Sequence, residues 1–274
     1  MALDERKLAF IGAGHITNVI VDNLVGAEKV YTHRLIASDP DKNKLQRLYD
    51  KYEIVMAKDN LAAVERGDFI FVNVLPQVVG SVIDELRGKR LLKDKLIITL
   101  AAGIPISAYE HLGENISVVR ALPNPPSQIG KGIAALAFNP HVTEKQKIDV
   151  FALFASLGEF VVLNEENINA VMALSSPVAT FLFFQSLIDA GIRAGIDQET
   201  ATKVVYHTIV GAMETWNLRQ VPPHELLSEA STPGGISAES LFTLEQYAFR
   251  AALNEAINNA VSKANEFAEA ARKT

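Results

Sequence analysis

Four short stretches of this chain combine residue types and spacings suited to holding an anionic ligand. The first runs from Leu8 to Thr17, where an apolar run, Leu8 to Ile11, breaks into Gly12-Ala13-Gly14. An amphipathic helical pattern follows at Ile16, Val19, Ile20 and Leu24. Strand, glycine turn and helix in that order are the context in which G-x-G binds a dinucleotide. Gly12 allows the tight turn, and Gly14 lets a pyrophosphate approach the backbone. The helix start, from His15, offers unpaired N–H groups. Thr17 stands where the fingerprint has a third glycine, and a small residue still packs there. A tight turn without a ligand is the alternative, weakened by the strands and helices that alternate behind it.

Ser38-Asp39 closes the second apolar run, where an adenine ribose would lie. An acid there accepts from the ribose hydroxyls and repels a 2′-phosphate, which favours NADH over NADPH. Helix capping by Asp39 or Asp41 is the competing explanation. The interval from Gly14 to Asp39 is longer than usual, and Arg34 and Lys42 bring opposite charge nearby. The third stretch, Val119 to Pro126, runs a strand into Leu-Pro-Asn-Pro-Pro. Its prolines fix the backbone around Asn124, an amide with donor and acceptor alike; a rigid loop explains it equally well. The fourth is Ser231-Thr232-Pro233-Gly234-Gly235-Ile236-Ser237. Its flexible glycines and three hydroxyls can form a neutral nest for a carboxylate, or an ordinary helix–helix turn capped by Ser237.

To position these stretches, the first half must alternate strands and helices. Strands are predicted at Lys7–Ile11, Leu35–Ser38, Phe69–Val74, Leu96–Leu100, Ser117–Ala121, Ile133–Phe138 and near Glu159–Leu163. Helices are predicted between them, as at Asp41–Tyr52, Asn60–Arg66 and Val78–Arg87. Such alternation predicts a parallel sheet covered on both faces. Ligands then bind beyond the carboxyl ends of the strands. The turns Gly12–Gly14, Ser38–Pro40, Leu75-Pro76 and Ala101-Ala102-Gly103 should line one crevice. After Leu163 the pattern turns alanine-rich and helical. Ala170–Ala194 is interrupted at Ser175-Ser176-Pro177, and Gln198–Leu218 and Ala238–Ala271 follow. The face of Phe181, Phe184, Leu187 and Ile188 is apolar enough for burial between helices or in a dimer interface. The Phe181–Phe184 group and Trp216 read as core.

The charge is −6 over 274 residues, with no long basic block, which argues against nucleic acid or an anionic membrane as partner. There is no cysteine, so disulfides and thiolate chemistry are excluded. The six histidines form no metal-ligand spacing, and no metal is expected. No apolar run reaches the roughly 20 residues of a membrane span, and the charged start is no signal peptide. A soluble, cytoplasmic protein is expected.

Taken in order, these stretches resemble the pyrroline-5-carboxylate reductase family over nearly the whole chain. Ile11-Gly12-Ala13-Gly14-His15-Ile16-Thr17 resembles its I-G-x-G-N-M, and Val72-Asn73-Val74-Leu75-Pro76 its A-V-K-P. Thr99 to Ile104 is similar to S-I-A-A-G-V, and Arg120 to Gly132 to R-x-M-P-N-T-P and the glycine beyond it. Ser175-Ser176-Pro177 falls on G-S-G-P-A-Y, and Leu187 to Ile196 on A-x-x-D-A-G-V-x-x-G-L. Ser231 to Ser237 matches S-P-G-G-T-T, and Leu244 to Ile257 matches L-E-x-x-G-F-R-x-A-x-x-x-A.

The resemblance implies an α/β Rossmann-type N-terminal domain, residues 1–163, and an all-α C-terminal dimerisation and substrate domain, residues 164–274. It implies reduction of the C=N bond of 1-pyrroline-5-carboxylate to L-proline with NADPH or NADH, in a homodimer that can assemble to a decamer. The cofactor-binding set is then Gly12, Gly14, His15, Ile16, Thr17, Ser38, Asp39, Asn60, Val74, Leu75, Pro76, Ala101, Ala102, Gly103 and Asn124. The substrate set is Ser175, Ser176, Thr232, Gly234, Gly235 and Ser237, with Thr232 and Ser237 closest to the chemistry. Five positions depart from the family pattern. His15 replaces asparagine, Leu75 replaces lysine, Gln185 replaces glutamate, and Leu174 and Ala179 take glycine and tyrosine positions when aligned without a gap. Two alternatives stay open: a paralogue reducing another cyclic imino acid, and a non-catalytic nucleotide-binding regulator of the same fold.

Overall fold

The computed structural model describes residue 3 and residues 5–272. The chain divides into two compact units, Met1–Ser175 with Asn259–Thr274, and Ser176–Asn258.

The first unit is built on an eight-stranded sheet. Its strands are β1 (Leu8–Ile11), β2 (Leu35–Ser38), β3 (Val55–Met56), β4 (Phe69–Val72), β5 (Leu96–Thr99), β6 (Ser117–Pro123), β7 (Gly132–Phe138) and β8 (Gly158–Val162), in spatial order β3-β2-β1-β4-β5-β6-β7-β8. Every neighbouring pair is parallel except β6 and β7. That one antiparallel pair departs from the parallel sheet expected. Only residues 124–131 join β6 to β7, too few for the crossover that a parallel pair needs. The two-residue β3 at the edge escapes sequence reading because it is too short to show alternation.

Period-two alternation divides the core. Leu8 and Phe10 point to one face, packed with α1 (His15–Gly26), α2 (Lys42–Tyr52) and, further along the sheet, α6 (Glu144–Phe154). Ala9 and Ile11 point to the other face, packed with α3 (Asn60–Arg66), α4 (Pro76–Leu86) and α5 (Ser107–Glu110). Phe10 and Phe71 stack across β1 and β4 with ring centroids 4.6 Å apart. The helix starts follow the local chemistry: Asp41 caps α2 through Asn43 N, and Thr143 with Gln146 forms a capping box on α6.

The division expected at 163/164 differs from the compact units. Helix α7 (Ile168–Leu174) lies against β6 and β7, and Arg120 of β6 bonds Asn169 Oδ1 at 2.9 Å. Asn169 in turn donates to Asn265 Oδ1 at 2.9 Å, which ties the end of the last helix to the same unit.

The second unit contains α8 (Val178–Arg193), α9 (Gln198–Arg219), α10 (Pro223–Ala230), α11 (Ile236–Gln246) and the start of α12 (Phe249–Arg272). Helices α8 and α9 approach closely at Gly191, where a Cβ would stand 3.1 Å from Ala201 Cβ. The single helix expected over Ala238–Ala271 is two, because Ala248 takes a left-handed φ of 53° and breaks the run. Phe181 and Trp216, expected in a core, are exposed in the single chain, Phe181 by 63%. The residues are as apolar as expected, but one chain supplies too few neighbours to cover them. A second correction concerns Glu165–Arg193, which is long and apolar enough, by length and composition, to cross a membrane. Ser175 and Ser176 interrupt the run without lowering its average enough to exclude it.

Candidate functional site

Strands β1, β2, β4 and β5 end flush. Ile11 pairs with Ser38 and Val72, and Val72 pairs with Thr99. The four turns that follow them therefore leave one edge of the sheet, where the strand order reverses between β1 and β4. Gly12, Gly14, Ser38, Asp39, Val74, Leu75, Pro76, Ala101, Ala102 and Gly103 are thus brought to a common edge.

The glycine turn is shaped by its neighbours. Gly12 has φ +102°, and a Cβ there would meet Asn73 O at 2.5 Å. At Gly14 a Cβ would meet nothing within 4 Å, so the space outside the turn is open. That open space at a helix start is what a diphosphate requires. Thr17, fully buried, donates to Gly12 O at 2.6 Å and accepts from Asn73 Nδ2 at 3.0 Å. Its hydroxyl thus braces the turn from beneath, a bond that the fingerprint's glycine could not make. Ile16 packs partly buried on the core, and His15 stays exposed at the start of α1.

Asp39 is nearly buried. Its Oδ2 accepts from Ala13 N and its Oδ1 from Asp41 N, both at 2.8 Å. Ser38 Oγ donates to Asn60 Oδ1 at 2.8 Å, and Asn60 Nδ2 donates to Glu85 Oε2 at 2.7 Å. This chain fixes the start of α3 against the end of β2. A cleft of about 310 Å³ opens beside the turn, lined by Ala13, Gly14, His15, Asn18, Lys44 and Arg47. Lys44 and Arg47, three apart on α2, went unnoticed in the sequence. Their i, i+3 spacing toward the glycine turn was the available signal.

On the β5 side, Ala101 N donates to Thr99 Oγ1 at 3.3 Å, and Thr99 shares a 2.5 Å hydrogen bond with Tyr109. Burial pushes the Tyr109 phenol well above its usual pKa, against the opposing pull of that bond. The pair supports the Ala101–Gly103 turn, and Gly103 adopts φ +77°. Leu75 caps α4 and is 71% exposed, which places a bare apolar side chain at the edge.

The Asn124 side chain is taken up by the protein. Its Oδ1 accepts from Ile133 N at 2.8 Å, and its Nδ2 donates to Ser175 O at 3.0 Å. It closes the loop at both ends rather than offering a free amide. Ser175 Oγ turns back to Met172 O at 3.5 Å. Thr232, Gly234, Gly235, Ser237 and Ser176 belong to the second unit. There Gly234 takes φ +73°, and Gly235 N donates to Thr232 O at 3.0 Å. A Cβ on Gly235 would stand 2.7 Å from Thr232 Oγ1 and 3.1 Å from Thr232 O, so a side chain there would displace the Thr232 hydroxyl. Ser237 lies in the first turn of α11, exposed, where helix N–H groups lack intrahelical partners.

Comparison with known proteins adds a second line of observation. The family model for pyrroline-5-carboxylate reductase dimerisation matches residues 165–267. The model described as NADP oxidoreductase coenzyme F420-dependent matches residues 7–103. The pyrroline-5-carboxylate reductase of Pseudomonas aeruginosa is 31% identical over 267 residues, 96% of this chain and 97% of that protein. The Escherichia coli enzyme of the same name is 28% identical, over 97% and 99%. The crystal structure of Plasmodium falciparum pyrroline carboxylate reductase with NADP bound matches with a TM-score of 0.86 at 27% identity, covering 97% of this chain and 99% of that one.

Proposed function

The chain belongs to the pyrroline-5-carboxylate reductase family, and from that premise we infer that it reduces the C=N bond of 1-pyrroline-5-carboxylate to L-proline with NAD(P)H, in proline biosynthesis. The observation that carries the reading is the flush edge of β1, β2, β4 and β5 with a glycine cradle at its centre. When bound, the nicotinamide supplies a hydride to the imine carbon. The rest of the work is positioning, since a protonated imine is already electrophilic.

The first unit receives the cofactor. Gly12 and Gly14 admit the diphosphate, Asp39 faces the ribose, and the Val74–Pro76 and Ala101–Gly103 turns flank the nicotinamide. The second unit receives the substrate carboxylate at the loop of Thr232, Gly234, Gly235 and Ser237, through neutral donors, with Gly235 shaping the turn because its N–H is taken by Thr232 O. Ser175 and Ser176 lie where the chain passes between the units. Residues 1–163 and 164–274 are the corresponding functional segments.

Asp39 supports a preference for NADH. Its pinned carboxylate keeps lone pairs for ribose hydroxyls and sets a negative charge where a 2′-phosphate would sit. Lys44 and Arg47 in the adjoining cleft support the second reading, NADPH. The exposed Leu75 supports a paralogue acting on another cyclic imino acid, since it puts no cation near the substrate. The apolar Glu165–Arg193 stretch falls wholly within the segment matched by the dimerisation model, which supports a partner subunit rather than a bilayer as its cover. We propose a cytoplasmic homodimer, open to decamer assembly.

The test is oxidation of NADH or NADPH by the purified protein with 1-pyrroline-5-carboxylate, followed with proline detection. Turnover supports the reading. No turnover with this substrate but turnover with a six-membered imino acid selects the paralogue, and none with either selects the regulator.

A further inference from the structure

Gln128 has no part in the reading above, yet it touches the cofactor turn. The proline-rich turn Pro125–Ile129 reaches α1 at two points. Asn23 Nδ2 donates to Ser127 O at 2.9 Å, and Gln128 Nε2 stands 3.1 Å from His15 Nε2. A carboxamide nitrogen has protons to give and no lone pair with which to accept. With the amide nitrogen placed toward the ring, Nε2 of His15 is the acceptor of this bond, and the ring's proton then sits on Nδ1.

We propose that Gln128 is a positioning residue: it holds His15 in the Nδ1–H tautomer, so that this N–H donates to the diphosphate of the bound cofactor. The proposal rests on the cofactor reading of the glycine turn and deepens it. His15 lines the same cleft as Gly14, Lys44 and Arg47, so the residue borders the space open to an anion. An anion needs a donor, and the Nε2–H tautomer would turn that donor toward the loop instead. The support for Gln128 is rigid. Asn23 holds the turn from α1, and Asn124 closes its base through Ile133 N and Ser175 O. Among the described residues Gln128 is the one side chain bonded to the His15 ring.

The tautomer is read directly by long-range ¹H–¹⁵N correlation on the labelled full chain, with His15→Ala to assign the signals. The expected result is Nδ1–H in the wild type and a shift toward Nε2–H in Gln128→Met, which keeps the length and removes the donor. Fluorescence titration with NADH should show Gln128→Met weakening affinity by about three- to tenfold. The same change in a His15→Ala background should add nothing. An Nε2–H tautomer in the wild type overturns the proposal, and so does a Gln128→Met loss that persists in full without His15. Gly14→Val separates the two levels. If it leaves NADH affinity intact, the cofactor reading fails and the proposal falls with it. If it abolishes binding while Gln128→Met changes nothing, only the role of Gln128 is lost.

Discussion

Asp39 and Ala13 are joined by a 2.8 Å hydrogen bond from the backbone N–H of the glycine turn to the carboxylate that ends β2. The acid is therefore part of the turn, held still by Ala13 N on one oxygen and Asp41 N on the other. A fixed negative charge discriminates between cofactors better than a mobile one, because it cannot swing away from a 2′-phosphate.

That geometry sets the first prediction. Two unit charges about 4 Å apart interact by about 1 kcal/mol in water and several-fold more in a drier cleft. The catalytic efficiency should be roughly tenfold higher with NADH than with NADPH. Steady-state kinetics with both cofactors checks this. Higher efficiency with NADPH would mean that Lys44 and Arg47 outweigh Asp39, and Arg47→Ala should then remove that advantage.

The two glycines of the turn should fail in different ways. Gly14 borders open space and has an extended backbone that valine can adopt, with φ −77° and ψ −168°. Gly14→Val should abolish cofactor binding while the thermal unfolding midpoint stays near wild type. Gly12→Ala should instead lower the unfolding midpoint. Its Cβ would meet the Asn73 carbonyl at 2.5 Å in a left-handed conformation, costing about 1–3 kcal/mol in backbone strain alone. Equal destabilisation by both changes would show that the space outside Gly14 is needed by the fold itself.

The helical segment should not persist as a monomer. Val178, Phe181 and Leu182 on α8 are each more than half exposed, as are Tyr206 on α9 and Phe242 on α11. Large apolar side chains left exposed in such number ordinarily mark an interface. Sedimentation velocity at micromolar concentration should give a dimer or larger, and a stable folded monomer would refute this.

Much of the nucleotide-binding half was legible because its signals are local. Leu8 to Ile11 reads as a strand, the glycines punctuate it, and the helix period starts at once. Asn124 was legible as unusual but not as what it does. Its two partners, Ile133 and Ser175, lie 9 and 51 residues along the chain, and no local pattern encodes such distant pairings. Asn73, Tyr109 and Gln128 were missed for the same reason. Each acts through a partner on another element, which no local period encodes. The break at Ala248 escaped notice because alanine is the best helix former, and the left-handed residue there has no glycine to announce it.

The last prediction concerns the loop before α11. A carboxylate needs donors, and no arginine or lysine occurs between Ser231 and Ser237. Gly234 turns the backbone with φ +73°, Gly235 packs closely against Thr232, and Ser237 adds its hydroxyl to the first turn of α11. Backbone N–H groups and hydroxyls arranged in this way can hold an anion without net charge. Losing one hydrogen bond to a charged group costs about 1.5–3 kcal/mol. Ser237→Ala should therefore raise KM for 1-pyrroline-5-carboxylate roughly ten- to a hundredfold. NADH affinity should hardly change, because the cofactor turns all belong to the other compact unit. Steady-state kinetics paired with NADH titration checks both halves. Unchanged KM for every cyclic imino acid tested would make the loop a plain turn, and the carboxylate would then have to bind elsewhere.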